Sequence, residues 1–256
     1  MANPISRFFR RLKAEPTLSG HKIYVGKYQD GEAEYEYVEQ DGQQVLDGPI
    51  SISRKYDYHY KKDGWDRAEG QFDMGLKDGP WVIRKDIKSP PSYAFKLDVN
   101  FVKGYVDGKL TYMRVMCPQK DVFDTHFVSC NVHEGRVTGD VEAVLSSARV
   151  TGRCDEQGRP DGEWERTINE YEGNDVVTVQ TDTEIWEHGV IKESFSIIEK
   201  TQERKKSRPY IVTTIDSLLS MNVMSMINFV KVGTLENKIH LRFEAIDYSD
   251  YEDYDD

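Results

Sequence analysis

Apolar and polar residues alternate in short segments along most of the first 200 positions. In PISISRKYDYHY (49–60) the apolar and aromatic side chains share one parity: Ile50, Ile52, Tyr56, Tyr58 and Tyr60. Successive side chains of a strand point to opposite faces, so this period of two predicts a β-strand with one buried face. Because similar segments follow one another, we expect a mainly β chain.

A glycine phrase, Gly-x-x-Asp/Thr-Gly-x-apolar, precedes many of these segments. It reads GLKDGPW (75–81), GYVDGKL (104–110), GRVTGDV (135–141) and GRPDGEW (158–164). Glycine reaches positive φ without steric cost, so the phrase indicates tight turns or bulges. Each copy is predicted to form a strand, a turn, a short strand, a second turn and a strand.

Alignment on the second glycine of the phrase gives about six copies. The anchors are Gly48, Gly79, Gly108, Gly139 and Gly162, and Glu193 takes their place in a sixth copy. The residue two positions beyond each anchor is apolar: Ile50, Trp81, Leu110, Val141, Trp164 and Phe195. A single copy cannot bury its apolar face, so neighbouring copies should stack. We therefore predict one β-repeat domain over 21–199, with Trp81 and Trp164 in its core.

Two of the copies resemble a known repeat. GQFDMGLKDGPW (70–81) and GRCDEQGRPDGEW (152–164) are similar to the MORN repeat, most closely to its variant in bacterial antitoxin-like proteins. The resemblance covers about 34–198. It implies an elongated, twisted antiparallel β-sheet solenoid that contacts a partner or a membrane. It brings no catalytic residue with it.

Residues 1–20 carry a helical pattern instead. Ile5, Phe8, Phe9 and Leu12 stand at i, i+3, i+4 and i+7, which is the apolar stripe of an amphipathic helix. Two interpretations stay open. The helix could shield the end of the sheet, or it could contact anionic lipid or a partner. The residues for the second interpretation are Arg7, Phe8, Phe9, Arg10, Arg11 and Leu12.

The segment 200–246 is predicted to hold a helix over 213–233 and a closing strand over 236–246. Residues 217–230 contain no charge. A helix without a charged face should be covered on both sides, by the sheet and by a second copy in a homo-oligomer. The alternative is a methionine-rich binding groove.

The last ten residues, 247–256, are acidic, and we expect a disordered, solvated tail. The alternative is an electrostatic plug that docks on a basic surface of a protein partner. Its contact residues would be Tyr248, Asp250, Tyr251, Glu252, Asp253 and Tyr254.

Composition narrows the function classes. The net charge of −11 argues against a surface that binds nucleic acid. Three cysteines without a CxxC pair argue against a disulfide framework, and neither a secretory signal nor an apolar run of about 18 residues is present. These features predict a cytoplasmic protein.

No pattern for catalysis, cofactor binding or metal binding is convincing. His126 and Cys130 should share one strand face while His133 points away, and the loop 155–166 lacks the acidic ligands of a calcium site. We therefore expect a non-enzymatic protein that binds another protein with a basic surface, with an antitoxin or immunity role. The alternatives are a membrane-surface scaffold and an uncharacterised hydrolase.

Overall fold

The strands of the protein form one open antiparallel sheet. The computed structural model describes residues 20–28, 31–58, 62–88, 92–119, 122–146, 148–172, 175–199, 203–227 and 243. Within these ranges the sheet has 15 strands, which follow one another in chain order except that β7 pairs only with β6. The predicted mainly β class is confirmed.

The strand bounds are β1 (Lys22–Tyr28), β2 (Gly31–Gln40), β3 (Gln43–Tyr58), β4 (Lys62–Asp73), β5 (Leu76–Ile87), β6 (Ser92–Val102), β7 (Tyr105–Val106), β8 (Gly108–Gln119), β9 (Val122–His133), β10 (Arg136–Leu145), β11 (Ala148–Cys154), β12 (Gly162–Glu172), β13 (Asp175–Glu187), β14 (Val190–Ile198) and β15 (Glu203–Lys206). A helical segment (211–227) follows, made of α1 (Ile211–Leu218), a π-helical stretch (Leu219–Val223) and α2 (Met224–Ile227).

The two glycines of the repeated phrase have different structural roles. Gly75 is the second residue of a two-residue hairpin turn after Met74, and both have positive φ (84° and 45°), as a type I′ turn requires. Gly79, with φ 65°, lies instead inside β5, beside a register shift between Glu69 and Gln71 of β4. The predicted second turn is therefore wrong for this copy. A bulge in a continuous strand needs the same backbone conformation, so the sequence pattern could not separate the two.

In four copies the aspartate before the second glycine links one copy to the next, whereas the copy at 135–141 has Thr138 at this position. The aspartate carboxylate accepts a hydrogen bond from the backbone N–H of the residue that begins the following turn. The pairs are Asp47 with Met74 (3.1 Å), Asp78 with Lys103 (3.2 Å), Asp107 with Glu134 (3.2 Å) and Asp161 with His188 (3.1 Å). The recurring aspartate thus holds together neighbouring turns of the fold.

The core lies on one face of the sheet, which we call the helix face because the helical segment contacts it. A row of registered side chains crosses this face and includes Ile52, Ala68, Ile83, Leu97, Tyr112, Val128, Ala143 and Val150. All eight are buried. The sequence parity that predicted an inward face is confirmed for these strands.

Trp81 and Trp164 are buried, as predicted, with 1% and 0% exposure. Each indole lies against a glycine of the preceding strand. A Cβ atom on Gly70 would come within 2.1 Å of Trp81, and one on Gly152 within 2.1 Å of Trp164. Close packing of tryptophan therefore explains why the phrase carries a further glycine upstream.

Several predicted features lie outside the described residues. They are the N-terminal helix with Arg7, Phe8, Phe9, Arg10, Arg11 and Leu12, the closing strand over 236–246 apart from Phe243, and the tail 247–256. The C-terminal helix is present, but it begins at Ile211, two residues before the predicted start. Over the part of the chain that the structure describes, no helix has the length and apolarity to cross a membrane.

Candidate functional site

The N-terminal end of the helical segment is held by a buried carboxylate of the sheet. Glu184, on β13, accepts hydrogen bonds from the backbone N–H groups of Tyr210, Ile211 (2.6 Å) and Val212 (3.3 Å). Trp186 donates its indole N–H to the same carboxylate at 3.0 Å. Burial raises the pKa of Glu184, and these hydrogen bonds oppose that shift. Glu184 thus caps the first turn, where the amides of a helix lack partners within it.

A second polar group lies beside this cap. Asp182 pairs with Arg166 at 3.2 Å and accepts hydrogen bonds from Ser196 (2.6 Å), Gln180 (2.8 Å) and the hydroxyl of Tyr210. Burial acts to raise the pKa of Asp182, but the hydrogen bonds and the nearby guanidinium outweigh it and hold the pKa below its usual range. The carboxylate therefore stays charged while it fixes Tyr210 at the start of the helix.

The other end of the helical segment meets a buried lysine. Lys77, on β5 and 2% exposed, donates from Nζ to the backbone carbonyl of Ile227 at 2.7 Å. Its ammonium lies 5.5 Å from the ring centres of both Trp81 and Phe101. Burial lowers the pKa of Lys77 to about 8. A cation at a helix C-terminus and a carboxylate at its N-terminus both complement the helix dipole.

These contacts show why a helical segment whose only charged residue is Asp216 lies across this sheet. Its own sequence supplies no charge over 217–230, so the strands supply both. The inward residues Val212, Ile215, Leu219, Val223 and Ile227 are buried. Met221 is 73% exposed, so one side of the helix carries an apolar side chain that the described residues leave accessible.

We expect Lys77 to make stability depend on pH. The folded state releases the Lys77 proton near pH 8, whereas an ordinary lysine holds it to about 10.5. Between these values the unfolded chain binds more protons, so a rise in pH favours the folded state. The stability of the wild type relative to Lys77→Met should therefore increase by about 2 kcal/mol from about pH 8 to about pH 10.

The measurement is urea unfolding of both proteins across this pH range. Taking the difference cancels the titration of tyrosines and cysteines, which both proteins share. A difference that stays constant with pH would mean that Lys77 keeps an ordinary proton affinity in the folded state.

A serine, a histidine and an aspartate also meet on the helix face, near the β10–β11 turn. Ser146 Oγ donates to Asp124 at 2.6 Å and lies 3.4 Å from His126 Nε2, and Arg114 donates to the same nitrogen at 3.0 Å. A Ser–His–Asp relay needs the carboxylate on the opposite ring nitrogen. Here Asp124 also faces Nε2, at 3.6 Å. Burial and Arg114 lower the pKa of His126. The geometry is that of an ion-pair network.

The other polar positions considered from the sequence have structural partners. His133 lies 3.0 Å from Asp107, and Asp155 accepts hydrogen bonds from the backbone of Gln157 and Arg159 within its own loop. Burial raises the pKa of Cys130 to about 12, so its thiol stays protonated. Within the described ranges no three metal-binding side chains come together.

The face of the sheet away from the helical segment, which we call the opposite face, carries a shallow depression. Its volume is about 460 Å³, and it lies beside the bulge of β10 between Thr138 and Val141. Exposed polar side chains and charged side chains of both signs line it, namely Lys109, Asn131, Asp140, Glu142, Arg149 and Thr151. Arg149 and Glu142 form an ion pair across it at 3.0 Å.

An apolar row lies next to the depression on the same face. Met113 pairs in register with Phe127, which pairs in turn with Val144. Met113 is 40% exposed, and the other two are half-buried. A contiguous apolar patch with a polar rim is a feature of surfaces that bind other proteins. The sequence analysis did not single out these residues, although their parity, opposite to that of the core, gave the signal.

The site residues predicted from the sequence, Tyr248, Asp250, Tyr251, Glu252, Asp253 and Tyr254, lie in the tail outside the described residues. The structure therefore contributes a different candidate, the opposite face with its apolar row. Comparison of the chain with protein-family models gives no match, and comparison with curated proteins gives none either.

Proposed function

We propose that the chain is a non-enzymatic binding protein that contacts a protein partner through the opposite face of its sheet. The observation that carries this proposal is the row Met113–Phe127–Val144 beside the charged depression. Methionine, aromatic residues and arginine are enriched at protein interfaces, and here Met113, Phe127 and Arg149 lie within one small area.

The contacts on the helix face support the opposite face as the binding surface. Its charged groups Lys77, Arg166, Asp182 and Glu184 are engaged by the chain's own helical segment or by one another. A partner that bound this face between β5 and β13 would have to displace the helix. The opposite face needs no rearrangement before binding, which lowers the cost of association.

The architecture that we propose is an elongated, twisted MORN-like solenoid. Its support is the strand order, which follows the chain, and the bond that repeats from one turn to the next. Within this class we propose an antitoxin or immunity protein, because a net charge of −11 would speed the capture of a basic effector. The partner would then be a protein with a basic surface.

The apolar row gives a direct test. Met113→Arg should weaken partner binding by tenfold or more, about 1.4 kcal/mol, because a charge would replace an apolar contact at the centre of the surface. Met74→Arg is the matched control, since Met74 is 48% exposed in a turn away from the row. A partner captured from native extract and purified would be titrated against the wild type and both variants.

Equal affinities of all three proteins would show that the partner does not use the row. Equal losses in both variants would show that any added positive charge weakens binding, and the choice of the opposite face would then be wrong. Urea unfolding of each variant checks that the fold is retained.

A further inference from the structure

The C-terminal edge of the sheet carries a cluster of positive charge, which we call the basic edge. It consists of Arg204, Lys205 and Lys206 on β15 together with Arg208. All four side chains are exposed. Arg204 lies over the ring of Phe195, with its guanidinium 3.7 Å from the ring centre, and it pairs with Glu193. The basic edge thus contains the Arg204 guanidinium held over the Phe195 ring, together with three further cations.

The chain itself holds a segment of complementary chemistry. Residues 247–256 (DYSDYEDYDD) contain six carboxylates, no lysine or arginine, and three tyrosines. Carboxylates bind lysine and arginine, and a tyrosine ring can stack on a guanidinium. The charge of −6 on this segment exceeds in magnitude the positive charge of the basic edge, so the segment can neutralise the edge fully.

The segment is also placed within reach of this edge. Phe243 packs against Trp164 of β12, with ring centres 5.6 Å apart, so the chain beyond it starts on the helix face near that strand. From β12 to β15 there are three strand intervals, roughly 14 Å at about 4.8 Å each. Seven extended residues span about 23 Å, so acids from Asp250 onward can lie on the basic edge.

We infer that residues 247–256 dock in cis on the basic edge. The carboxylates bind Lys205, Lys206 and Arg208, and a tyrosine stacks on the Arg204–Phe195 platform. This contact lies beyond the proposed partner binding, because it is intramolecular and involves β14 and β15 at the edge of the sheet, several strands away from the row Met113–Phe127–Val144 on β8, β9 and β10. It also covers a terminal strand, whose backbone would otherwise be able to pair with a strand of another chain.

Zero-length cross-linking of carboxylates to amines tests the docking. The full-length protein at low concentration should give, in the monomer band, cross-links from Lys205 or Lys206 to acids of 247–256. Lys22 and Lys27 on β1, at the opposite edge of the sheet, are internal controls and should give at least tenfold less. The cross-links should disappear at about 1 M salt, where the screening length falls to about 3 Å.

A second measurement does not depend on the reagent. Amide hydrogen exchange of residues 203–208 should be at least tenfold slower in the full chain than in a chain that ends at residue 246. The triple variant Asp250→Asn, Glu252→Gln, Asp253→Asn should behave like the shortened chain.

Three results would overturn the inference. Cross-links confined to a dimer band would place the tail on a second copy, and equal cross-linking to Lys22 or Lys27 would mean non-specific contact. Exchange rates of 203–208 that are identical with and without the tail would mean that no docking occurs. Neither experiment requires the partner, so failure here is distinguishable from failure of the proposed function.

Discussion

Replacement of Trp81 by alanine should lower the free energy of unfolding by about 3–5 kcal/mol, which is typical of a buried tryptophan. Trp81 is 1% exposed and packs edge-to-face against Phe72 and Phe101, with ring centres 5.3 and 6.1 Å away. The cavity cannot close easily, because the nearest residue on the adjacent strand is Gly70, which has no side chain to move into it. Urea unfolding measures the effect.

Trp65 offers a matched control for this substitution. It lies on the neighbouring strand β4, is only half-buried, and stacks with Arg67 at 4.6 Å. Trp65→Ala should cost less than half as much as Trp81→Ala. Similar losses at the two positions would show that Trp81 does not have the special role in the core that its burial implies.

Removal of the carboxylate of Glu184 is the second large effect that we expect. Glu184→Ala should destabilise the protein by about 3 kcal/mol, because three backbone amides at the start of the helical segment and the indole N–H of Trp186 lose their acceptor while buried. Glu184→Gln keeps one acceptor oxygen and should cost less. Urea unfolding and the helical circular dichroism signal are the two measurements.

Glu187, on the same strand, provides the comparison. It is exposed and lies 3.9 Å from Lys192, so Glu187→Ala should change stability by no more than about 0.5 kcal/mol. If Glu184→Ala were equally mild and the helical signal stayed unchanged, the helical segment would be held by apolar packing alone.

The sheet could be predicted because its causes are local. The alternation of Ile50 and Ile52 and the positive φ needed at Gly75 each depend on residues only a few positions apart in the chain. The bulge at Gly79 was mistaken for a turn, since both need the same φ, and only the partner strand distinguishes them. Partner strands are set by the whole fold, so this detail was beyond the sequence pattern.

The contacts that hold the helical segment were not predicted, although the repeat contained a signal for them. Two positions before the anchor, five of six copies have an apolar residue or proline, and one has Lys77. Arg166 is likewise the exception four positions after the anchor, and Glu184 lies at an inward position that holds Val99 and Cys130 in other copies. Each of these three charges contacts the helical segment or Tyr210, the residue before it. The structural role of these charges could not be predicted, because it depends on contacts with residues 210–227, which are distant in the chain.

The candidate binding surface shows the same limit. Met113 and Phe127 alternate with core residues, so their outward direction follows from parity. Their position beside the depression depends on the bulge of β10 and on the register of four strands. No single segment of sequence contains that information.

The helical segment also changes how the repeats depend on one another. Copies joined only to their neighbours would open one at a time from either end of the row. Here the helical segment is hydrogen-bonded to β5 through Lys77 and to β13 through Glu184, so it bridges all the strands between them. Unfolding of any strand between these two would separate β5 from β13, and the helical segment could then no longer contact both. The strands from β5 to β13 should therefore unfold as one cooperative unit. Gradual fraying should be confined to the strands outside that span.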